Sequence, residues 1–436
     1  MLTRLFAVAL ACLPPGVLAA MPDIAHWTTA NGARVYFVAA PEIPMVDARV
    51  VFAAGSARDD GRPGLAELTN DLLREGAGER DADAFSSALG ATGARLSNGS
   101  LRDMAYVEVR TLAEPRYAEP ALALLADAIA RPRFDAAAVD RVKGRALVAL
   151  RHREQSPESI AEDTFYSEIY GKHPYASVPD GTPESVTALT RDDIAAFHQR
   201  YYVAQNAVIA IVGDVDRARA EAIAETLSAG LIKGQRAPTL PAVPTTTAHE
   251  RRVDYPSIQS HVRVGLPGMR RGDPDYFPLL VGNHALGGNS LVSILFREIR
   301  NKRGLSYSAY SYFVPMAVEG PFVAMLQTDR AQEAEAVAVL RQTLAGFIAD
   351  GPPAGDLEAA KQNLVGGFPL RIDSNDKIVE YIAMIGFYDL PLDYLEQFTR
   401  KVAAVTAADV RDAFARRVPL DGLVTVVVGR AEAEDG

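Results

Sequence analysis

The chain contains an internal repeat, and this repeat constrains the fold more than any other feature. Residues 187–216, TALTRDDIAAFHQRYYVAQNAVIAIVGDVD, align without a gap with residues 403–432, AAVTAADVRDAFARRVPLDGLVTVVVGRAE, at an offset of 216 residues. In each copy a Thr followed three residues later by Asp predicts a capped helix, and the run of Val and Ile after it predicts a buried strand. A chain of 436 residues also exceeds one ordinary core. The sequence therefore predicts two similar halves.

Each half mixes strand and helix patterns. The segments ARVYFVAA, DARVVFAAGSA and MAYVEVRTL predict strands, and HVRVGLPG and GPFVAMLQT do so in the second half. Helical periodicity of apolar residues marks residues 65–74, 117–130, 135–153, 192–201 and 216–228. Strands that arrive in pairs before helices are typical of α+β folds. We therefore expect two homologous α+β halves, each a sheet with helices packed on it.

A segment rich in proline and threonine separates the halves. Residues 233–256 contain Pro238, Pro241 and Pro244 and a threonine triplet and show no apolar period, which is typical of an extended linker. The predicted organisation is a first half at 21–232, this linker, and a second half at 257–436.

The first residues have the pattern of a secretory signal peptide. Arg4 precedes an apolar stretch, and small residues follow up to Ala19 and Ala20, where we expect cleavage. Cys12 is the only cysteine and lies within this predicted signal peptide, residues 1–20, so the processed chain would form no disulfide. The segment ALAC leaves open a lipoprotein signal with Cys12 as the acylated residue. The cleaved signal peptide predicts a periplasmic or secreted protein.

The charge argues against a nucleic-acid partner, and the hydropathy argues against a membrane span. The net charge is -10 and no dense basic run occurs, whereas a nucleic-acid-binding surface needs clustered Lys and Arg. No run after residue 20 approaches the roughly 20 apolar residues of a membrane span. We therefore expect no nucleic-acid partner and no transmembrane segment in the processed chain.

Three segments resemble one family of peptidases. They are GLAELTNDLL at 64–73, HPYASVPDGTPESVTALTRDDIAAFHQRYYVAQNAVIAIVGDV at 173–215 and REIRNKRGLSYSAYSYF at 297–313. Together with the duplicated layout, they resemble the insulinase, pitrilysin and mitochondrial-processing-peptidase family over nearly the whole chain after residue 20. Active members of that family carry an inverted zinc motif, His-x-x-Glu-His, on a helix: the two His bind zinc, the Glu activates water, and a Glu on a later helix is the third ligand.

The zinc motif is absent from this chain. Glu67, Asn70 and Asp71 stand within one turn of a predicted helix and would share one face, and they occupy the places of His, Glu and His. The third ligand falls at about residues 148–150, where the closest match is Ala149. Zinc favours imidazole and thiolate, and an amide such as that of Asn70 cannot act as a general base. No two of the seven histidines lie within five residues of each other. We therefore expect this chain to bind no metal.

A second site pattern lies in the second half. We expect Ser290 to cap a helix with Leu291, Ile294, Leu295 and Ile299 as its buried stripe, ended by Gly304, with a strand from Leu305 onward.

The predicted turn would bring Tyr307 back towards the helix end that holds Arg300. In the resembling family, an Arg and a Tyr at this spacing hold the substrate backbone and stabilise the transition state. The resemblance implies that Arg300 and Tyr307 are substrate-binding residues. A guanidinium and a phenol are suited to this role because both donate hydrogen bonds to a carbonyl oxygen as it gains negative charge.

The sequence thus favours a zinc-less subunit of a two-chain metallopeptidase. Some bacterial members of the family resemble this arrangement, with zinc in one subunit and the Arg and Tyr in the other. The expected partner is a homologous zinc-bearing subunit, the expected substrates are unfolded peptides, and we expect no activity from this chain alone. Two alternatives stay open: an inert structural or assembly protein with the peptidase fold, and a solitary hydrolase with an atypical site at Glu67 and Asp71. The sequence does not exclude a homodimer.

Overall fold

The computed structural model describes residues 22–289 and 291–430. The predicted signal peptide at residues 1–20, with Cys12, lies outside the described residues, and so does Ser290. None of the described helices is long and apolar enough to cross a membrane.

The first half is built on a six-stranded sheet with the order β1-β2-β8-β3-β7-β6. Strand β8, AVIAIVG, is buried along its whole length, as its unbroken apolar run predicts. It runs parallel to β2 and antiparallel to β3. A small hairpin, β4 and β5, lies apart from this sheet. The strands are β1 (Ala25–Thr28), β2 (Arg34–Ala39), β3 (Met45–Phe52), β4 (Gly76–Ala77), β5 (Arg80–Asp81), β6 (Arg95–Ser100), β7 (Ala105–Leu112) and β8 (Ala207–Gly213).

The second half is built on a five-stranded sheet with the order β11-β12-β10-β13-β9. Strand β13 runs parallel to β9 and antiparallel to β10. Strand β12 joins β10 to the edge strand β11, in both cases antiparallel. The strands are β9 (His249–Asp254), β10 (Gln259–Met269), β11 (Ser306–Phe313), β12 (Gly320–Asp329) and β13 (Val424–Gly429).

The two sheets have the same topology. Strands β2, β8, β3, β7 and β6 of the first sheet correspond in order and direction to β9, β13, β10, β12 and β11 of the second. The helix that precedes the repeated strand is capped identically in both halves. Thr190 and Thr406 each accept a hydrogen bond from the backbone of Asp193 and Asp409, and these carboxylates accept from the cap residues in return. The predicted duplicated α+β fold is confirmed.

Helices cover both sheets. The first half contains α1 (Leu65–Leu72), α2 (Ala82–Thr92), α3 (Pro115–Ala130), α4 (Ala136–Arg153), α5 (Pro157–Tyr170), α6 (Pro183–Ala188), α7 (Arg191–Tyr201) and α8 (Arg217–Ala229). The second half contains α9 (Tyr276–Asn283), α10 (Ile294–Phe296), α11 (Glu333–Asp350), α12 (Ala354–Gly366), α13 (Asn375–Phe387), α14 (Tyr394–Ala404) and α15 (Ala407–Arg417). Two π-helical turns, His284–Gly288 and Arg297–Asn301, follow α9 and α10.

Each half contributes one helix to the sheet of the other half. Helix α5 of the first half packs on β10 and β13, where Phe165 and Ile169 meet the valines of β13. Helix α13 of the second half packs on β3 and β8, with Val379 and Ile382 in the same core as Val208 and Val212. This exchange buries both faces of the central strands, which explains their continuous apolar sequences.

The two halves meet at the carboxylate of Asp103, in the turn between β6 and β7. It accepts hydrogen bonds from the hydroxyls of Tyr175, at 2.5 Å, and Tyr388, at 2.9 Å, and from the backbone N–H of Ala317, at 2.7 Å. Tyr175 belongs to the first half, whereas Tyr388 and Ala317 belong to the second. Tyr388 also stands 213 residues after Tyr175. Tyr175 and Tyr388 follow α5 and α13, the helices at the same place in the element order of each half, so the two tyrosines are counterparts in the duplicated fold and share one acceptor.

The segment between the halves, up to residue 248, forms no helix or strand and lies largely at the surface. His173 Nε2 lies 3.1 Å from the carbonyl oxygen of Pro241, and Thr246 donates to the carbonyl of Gly422 at 2.6 Å. The last part of the predicted linker, residues 249–254, forms β9 and so belongs to the second sheet.

Candidate functional site

The degenerate motif lies on α1, at the point where this helix begins. Gly64 precedes the helix in the left-handed conformation, with φ of 87°. The carboxylate of Asp59 accepts hydrogen bonds from the backbone N–H groups of Gly64, at 3.2 Å, and Ala66, at 2.9 Å. It thereby takes up N–H groups that the first helical turn leaves free.

Asn70 is locked into the fold. Its side chain is buried, and its amide donates to the carbonyl of Tyr106, at 3.2 Å, and to the hydroxyl of Tyr202, at 3.3 Å. Its Oδ1 accepts from the amide of Asn98 at 2.9 Å, and Asn98 also donates to the backbone carbonyl of Asn70. All three partners lie on other elements of the first half. The residue that replaces the catalytic Glu therefore ties α1 to β6, β7 and the end of α7.

Glu67 and Asp71 form an acidic pair one turn apart. Burial, and then the charges of Asp71, Asp180 and Asp59, raise the pKa of Glu67 to about 8. Burial raises the pKa of Asp71 as well, although Arg145 acts against it. Within residues 22–289 and 291–430 neither carboxyl has a hydrogen bond or an ion pair. Glu67 is half-buried and Asp71 is exposed, and the charge of Asp71 disfavours a second negative charge on Glu67.

The helix that would bring the third ligand brings cations instead. Ala149 is exposed on α4, and its side chain has no donor atom. One and two turns earlier on this helix, Arg145 and Arg141 donate to the carboxylate of Glu75, at 2.6 and 2.5 Å. Among the described residues, no group of three or more His, Cys, Asp or Glu is arranged to hold a metal ion. Glu67, Asn70, Asp71 and Ala149 therefore do not fit the zinc site of active members of the resembling family.

Arg300 and Tyr307 come together at the end of the second π-helical turn. Gly304, with φ of 66°, turns the chain, and its N–H donates to the carbonyl of Arg300 at 2.9 Å. The guanidinium of Arg300 then stacks on the ring of Tyr307, 4.8 Å from its centroid, and lies 5.7 Å from that of Phe296. Tyr307 is 82% exposed. The pair therefore holds the guanidinium N–H groups of Arg300 and the hydroxyl of Tyr307 close together and open to solvent.

Among the described residues, the charged side chains next to Arg300 form ion pairs within this chain, whereas Arg300 and Tyr307 leave their donors unpaired. Arg297 makes a bidentate ion pair with Asp356, and Lys302 and Arg303 both pair with Glu298. In the described part of the chain, the guanidinium of Arg300 has no carboxylate partner and the hydroxyl of Tyr307 has no hydrogen bond. Their donors are available to a molecule outside this chain.

The helix before Arg300 begins later than the sequence predicts. The predicted buried stripe included Leu291, but Leu291 is 70% exposed. The helix begins after Ser293, whose hydroxyl accepts from the N–H of Phe296 at 3.3 Å, so it starts about one turn later than predicted. Leu295 and Ile299 are buried as expected. The predicted cap, Ser290, lies outside the described residues.

Two sets of hydrogen bonds in the structure were not predicted from the sequence. The acceptor role of Asp103 and the partners of Asn70 join elements far apart in the chain, and no local spacing indicates them.

Comparisons with known proteins identify the family of this fold. The family model described as insulinase (peptidase family M16) matches residues 34–178, and the model described as peptidase M16 inactive domain matches residues 188–364. A crystal structure of a peptidase M16 inactive domain from Pseudomonas fluorescens is 37% identical, covers 94% of this chain and 99% of its own, and superposes with a TM-score of 0.91.

Curated relatives include proteins named as peptidases and one named as a non-peptidase. An uncharacterised zinc protease of Mycobacterium leprae is 29% identical, over 81% of this chain and 80% of its own length. A non-peptidase homolog of Helicobacter pylori is 24% identical, over 90% of both chains.

Proposed function

This chain belongs to the insulinase (M16) peptidase family, and we propose that it is the zinc-less subunit of a two-chain metallopeptidase of the periplasm or the extracellular space. In this role the chain encloses unfolded peptides together with a homologous zinc-bearing subunit. It contributes Arg300 and Tyr307 to the shared site and no metal ligand.

The observation that carries the proposal is the contrast between the two sites. The zinc positions hold Glu67, Asn70, Asp71 and Ala149, and Asn70 is consumed by hydrogen bonds within the fold. The Arg300 and Tyr307 pair, by contrast, is stacked, exposed and unused by the described part of the chain. A structural protein has no need of a free guanidinium and phenol held in one geometry, whereas a peptidase subunit does.

The chemistry of this pair suits a peptide carbonyl. Hydrolysis places negative charge on the carbonyl oxygen of the scissile bond, and donors fixed in advance stabilise that charge without reorganising. Arg300 supplies charged N–H donors and Tyr307 a hydroxyl. Stacking on the ring restricts the rotation of the arginine side chain before substrate arrives, which reduces the entropy lost on binding.

The test is peptide cleavage by mixed subunits. The chain is combined with a homologous M16 chain that has an intact His-x-x-Glu-His, and cleavage of a quenched fluorescent peptide is measured, with pairing checked separately by size-exclusion chromatography. Arg300→Ala or Tyr307→Phe should leave pairing intact and lower the rate by roughly 10² to 10³, the usual cost of losing one donor to a developing oxyanion. Arg303→Ala is the matched control, since Arg303 lies on the same turn but is paired with Glu298. If both variants cleave at the parental rate, an inert structural role is the better account.

A further inference from the structure

A cavity in the second half carries positive charge and belongs to neither site described above. It has a volume of about 610 Å³ and opens where the turn His284–Gly288 meets β11 and α12. Its charged lining consists of Arg271, His284 and Arg371, and its aromatic lining includes Tyr276, Tyr310 and Tyr312.

The lining has no acidic side chain. This is notable because the chain has 55 Asp and Glu against 45 Lys and Arg. Within the described ranges, neither Arg271 nor Arg371 forms an ion pair, and the Nε of Arg271 is buried without a hydrogen-bond partner. Burial, and then the nearby charge of Arg371, lower the pKa of His284. The cavity therefore brings two arginines and a neutral imidazole together, with no carboxylate among its lining residues.

The cavity wall is rigid and closely packed. Asn283 donates to the carbonyl of Ser311 at 3.0 Å, and the hydroxyl of Ser311 donates back to Asn283 at 2.7 Å. A Cβ on Gly287 would lie 2.4 Å from the backbone N of Ser311, so only glycine allows this approach. The turn itself is π-helical, a conformation that is rare and often found at functional sites. The cavity is thus formed before any ligand arrives.

The cavity is the second-half counterpart of the degenerate zinc site. Leu280, Asn283 and His284 stand 213 residues after Glu67, Asn70 and Asp71, on the helix that follows the equivalent strand. The Oδ1 of Asn283 accepts a hydrogen bond from Ser311 of the edge strand β11, just as the Oδ1 of Asn70 accepts one from Asn98 of β6. The same place in the fold is therefore acidic in one half and basic in the other.

We propose that this cavity binds an organic carboxylate with an aromatic or aliphatic side chain, with the C-terminal residue of a peptide as the best-fitting form. The carboxylate lies against Arg271 and Arg371, which are suited to bidentate recognition of this group. The side chain packs against the tyrosines and the apolar wall. This binding needs neither a zinc-bearing partner nor Arg300 and Tyr307, so it stands apart from the proposed function.

Isothermal titration calorimetry of the full chain at pH 7 and low salt tests the proposal. The probes are N-acetyl-Ala-Ala-Phe with a free carboxylate, the same peptide with a C-terminal amide, and 3-phenylpropanoate. The acid should bind, and the amide should bind at least roughly tenfold more weakly, because it lacks the charge that the arginines recognise. Arg371→Met should weaken binding of the acid by roughly tenfold. Arg371 is exposed at the rim, so this change leaves the core intact.

Arg400→Met is the matched control, since Arg400 is exposed on α14 and does not line the cavity. It should bind the acid like the parent. Binding of the peptide acid more tightly than 3-phenylpropanoate identifies a peptide C-terminus as the ligand, and equal binding identifies a small free acid; both support a carboxylate site. Equal binding of the acid and the amide, no binding of either at millimolar concentration, or an unchanged Kd in Arg371→Met overturns it.

Discussion

Replacing Asp103 by Ala should destabilise the protein more than an ordinary substitution, because Asp103 joins the two halves. The change removes the acceptor of three donors: the buried hydroxyl of Tyr175, the half-buried hydroxyl of Tyr388, and the N–H of Ala317, which is an exposed residue. Each unsatisfied buried donor costs about 1 to 3 kcal/mol. Burial raises the pKa of Asp103, so the buried charge itself carries a cost that its removal returns. We therefore expect a net loss of about 3 to 5 kcal/mol in the free energy of unfolding.

The assay is urea unfolding at pH 7, followed in parallel by circular dichroism and by the fluorescence of Trp27, the single tryptophan. Because Trp27 reports on the first half, separation of the two curves in Asp103→Ala would show that the halves have become uncoupled. Tyr388→Phe alone should cost about 1.5 to 3 kcal/mol, and much less when combined with Asp103→Ala, since the hydrogen bond is then already lost. Tyr117→Phe, on the half-buried face of α3, is the control.

The reasoning fails if Asp103→Ala unfolds within about 1 kcal/mol of the parent, an ordinary value for a point mutation. It also fails if the two substitutions are additive, because Tyr388 would then act independently of the carboxylate.

Three further predictions follow from the first half. The purified chain should contain well under one zinc per molecule by elemental analysis and should hydrolyse peptides no faster than a blank; near-stoichiometric zinc that a chelator removes would contradict this. Burial lowers the pKa of His198 to about 4, below its unfolded value. The contribution of His198 to stability should therefore be fully present above about pH 6.5, and the free energy of unfolding should fall by about 3 kcal/mol as the pH drops to 4. In urea titrations across this range, the free energy of unfolding of His198→Gln should depend less on pH than that of the parent. The pKa of Glu67 is raised to about 8, so the contribution of its carboxyl to folding stability is present at low pH and is lost as the pH rises towards 8. The free energy of unfolding of Glu67→Gln, relative to the parent, should therefore rise from pH 5 to pH 8. If the difference in urea midpoint between variant and parent is the same at both pH values, the raised pKa of Glu67 is refuted.

Local sequence signals predicted most of the secondary structure and the duplication. The caps at Thr190 and Thr406 each depend on residues three apart, and the strand after each depends on a run of apolar residues. Such signals are complete within a few residues. The exchange of α5 and α13 between the halves could not be predicted in this way, because it depends on contacts between elements that are distant in the chain, such as α5 with β13 and α13 with β3.

The site was predictable where it depends on spacing and unpredictable where it depends on partners. The positions of Glu67 and Asp71 on one helix and the approach of Tyr307 to Arg300 followed from the sequence. The start of α10 did not, because Ser290 and Ser293 are both suitable caps and only packing decides between them. The hydrogen bonds of Asn70 also could not be predicted, since their partners come from three other elements.

These partners bear on why one half lacks the zinc chemistry while the fold is intact. A zinc site needs side chains that converge on an open position and stay free of other bonds. In the first half Asn70 has instead become a structural link between α1, β6 and β7, and Arg145 directs positive charge towards Asp71, where a third acidic ligand would be required. The hydrogen bonds of Asn70 thus tie α1 into the first half. Arg300 and Tyr307, the residues that the proposed function assigns to substrate, lie in the second half, where no hydrogen bond in the described structure competes for their side chains.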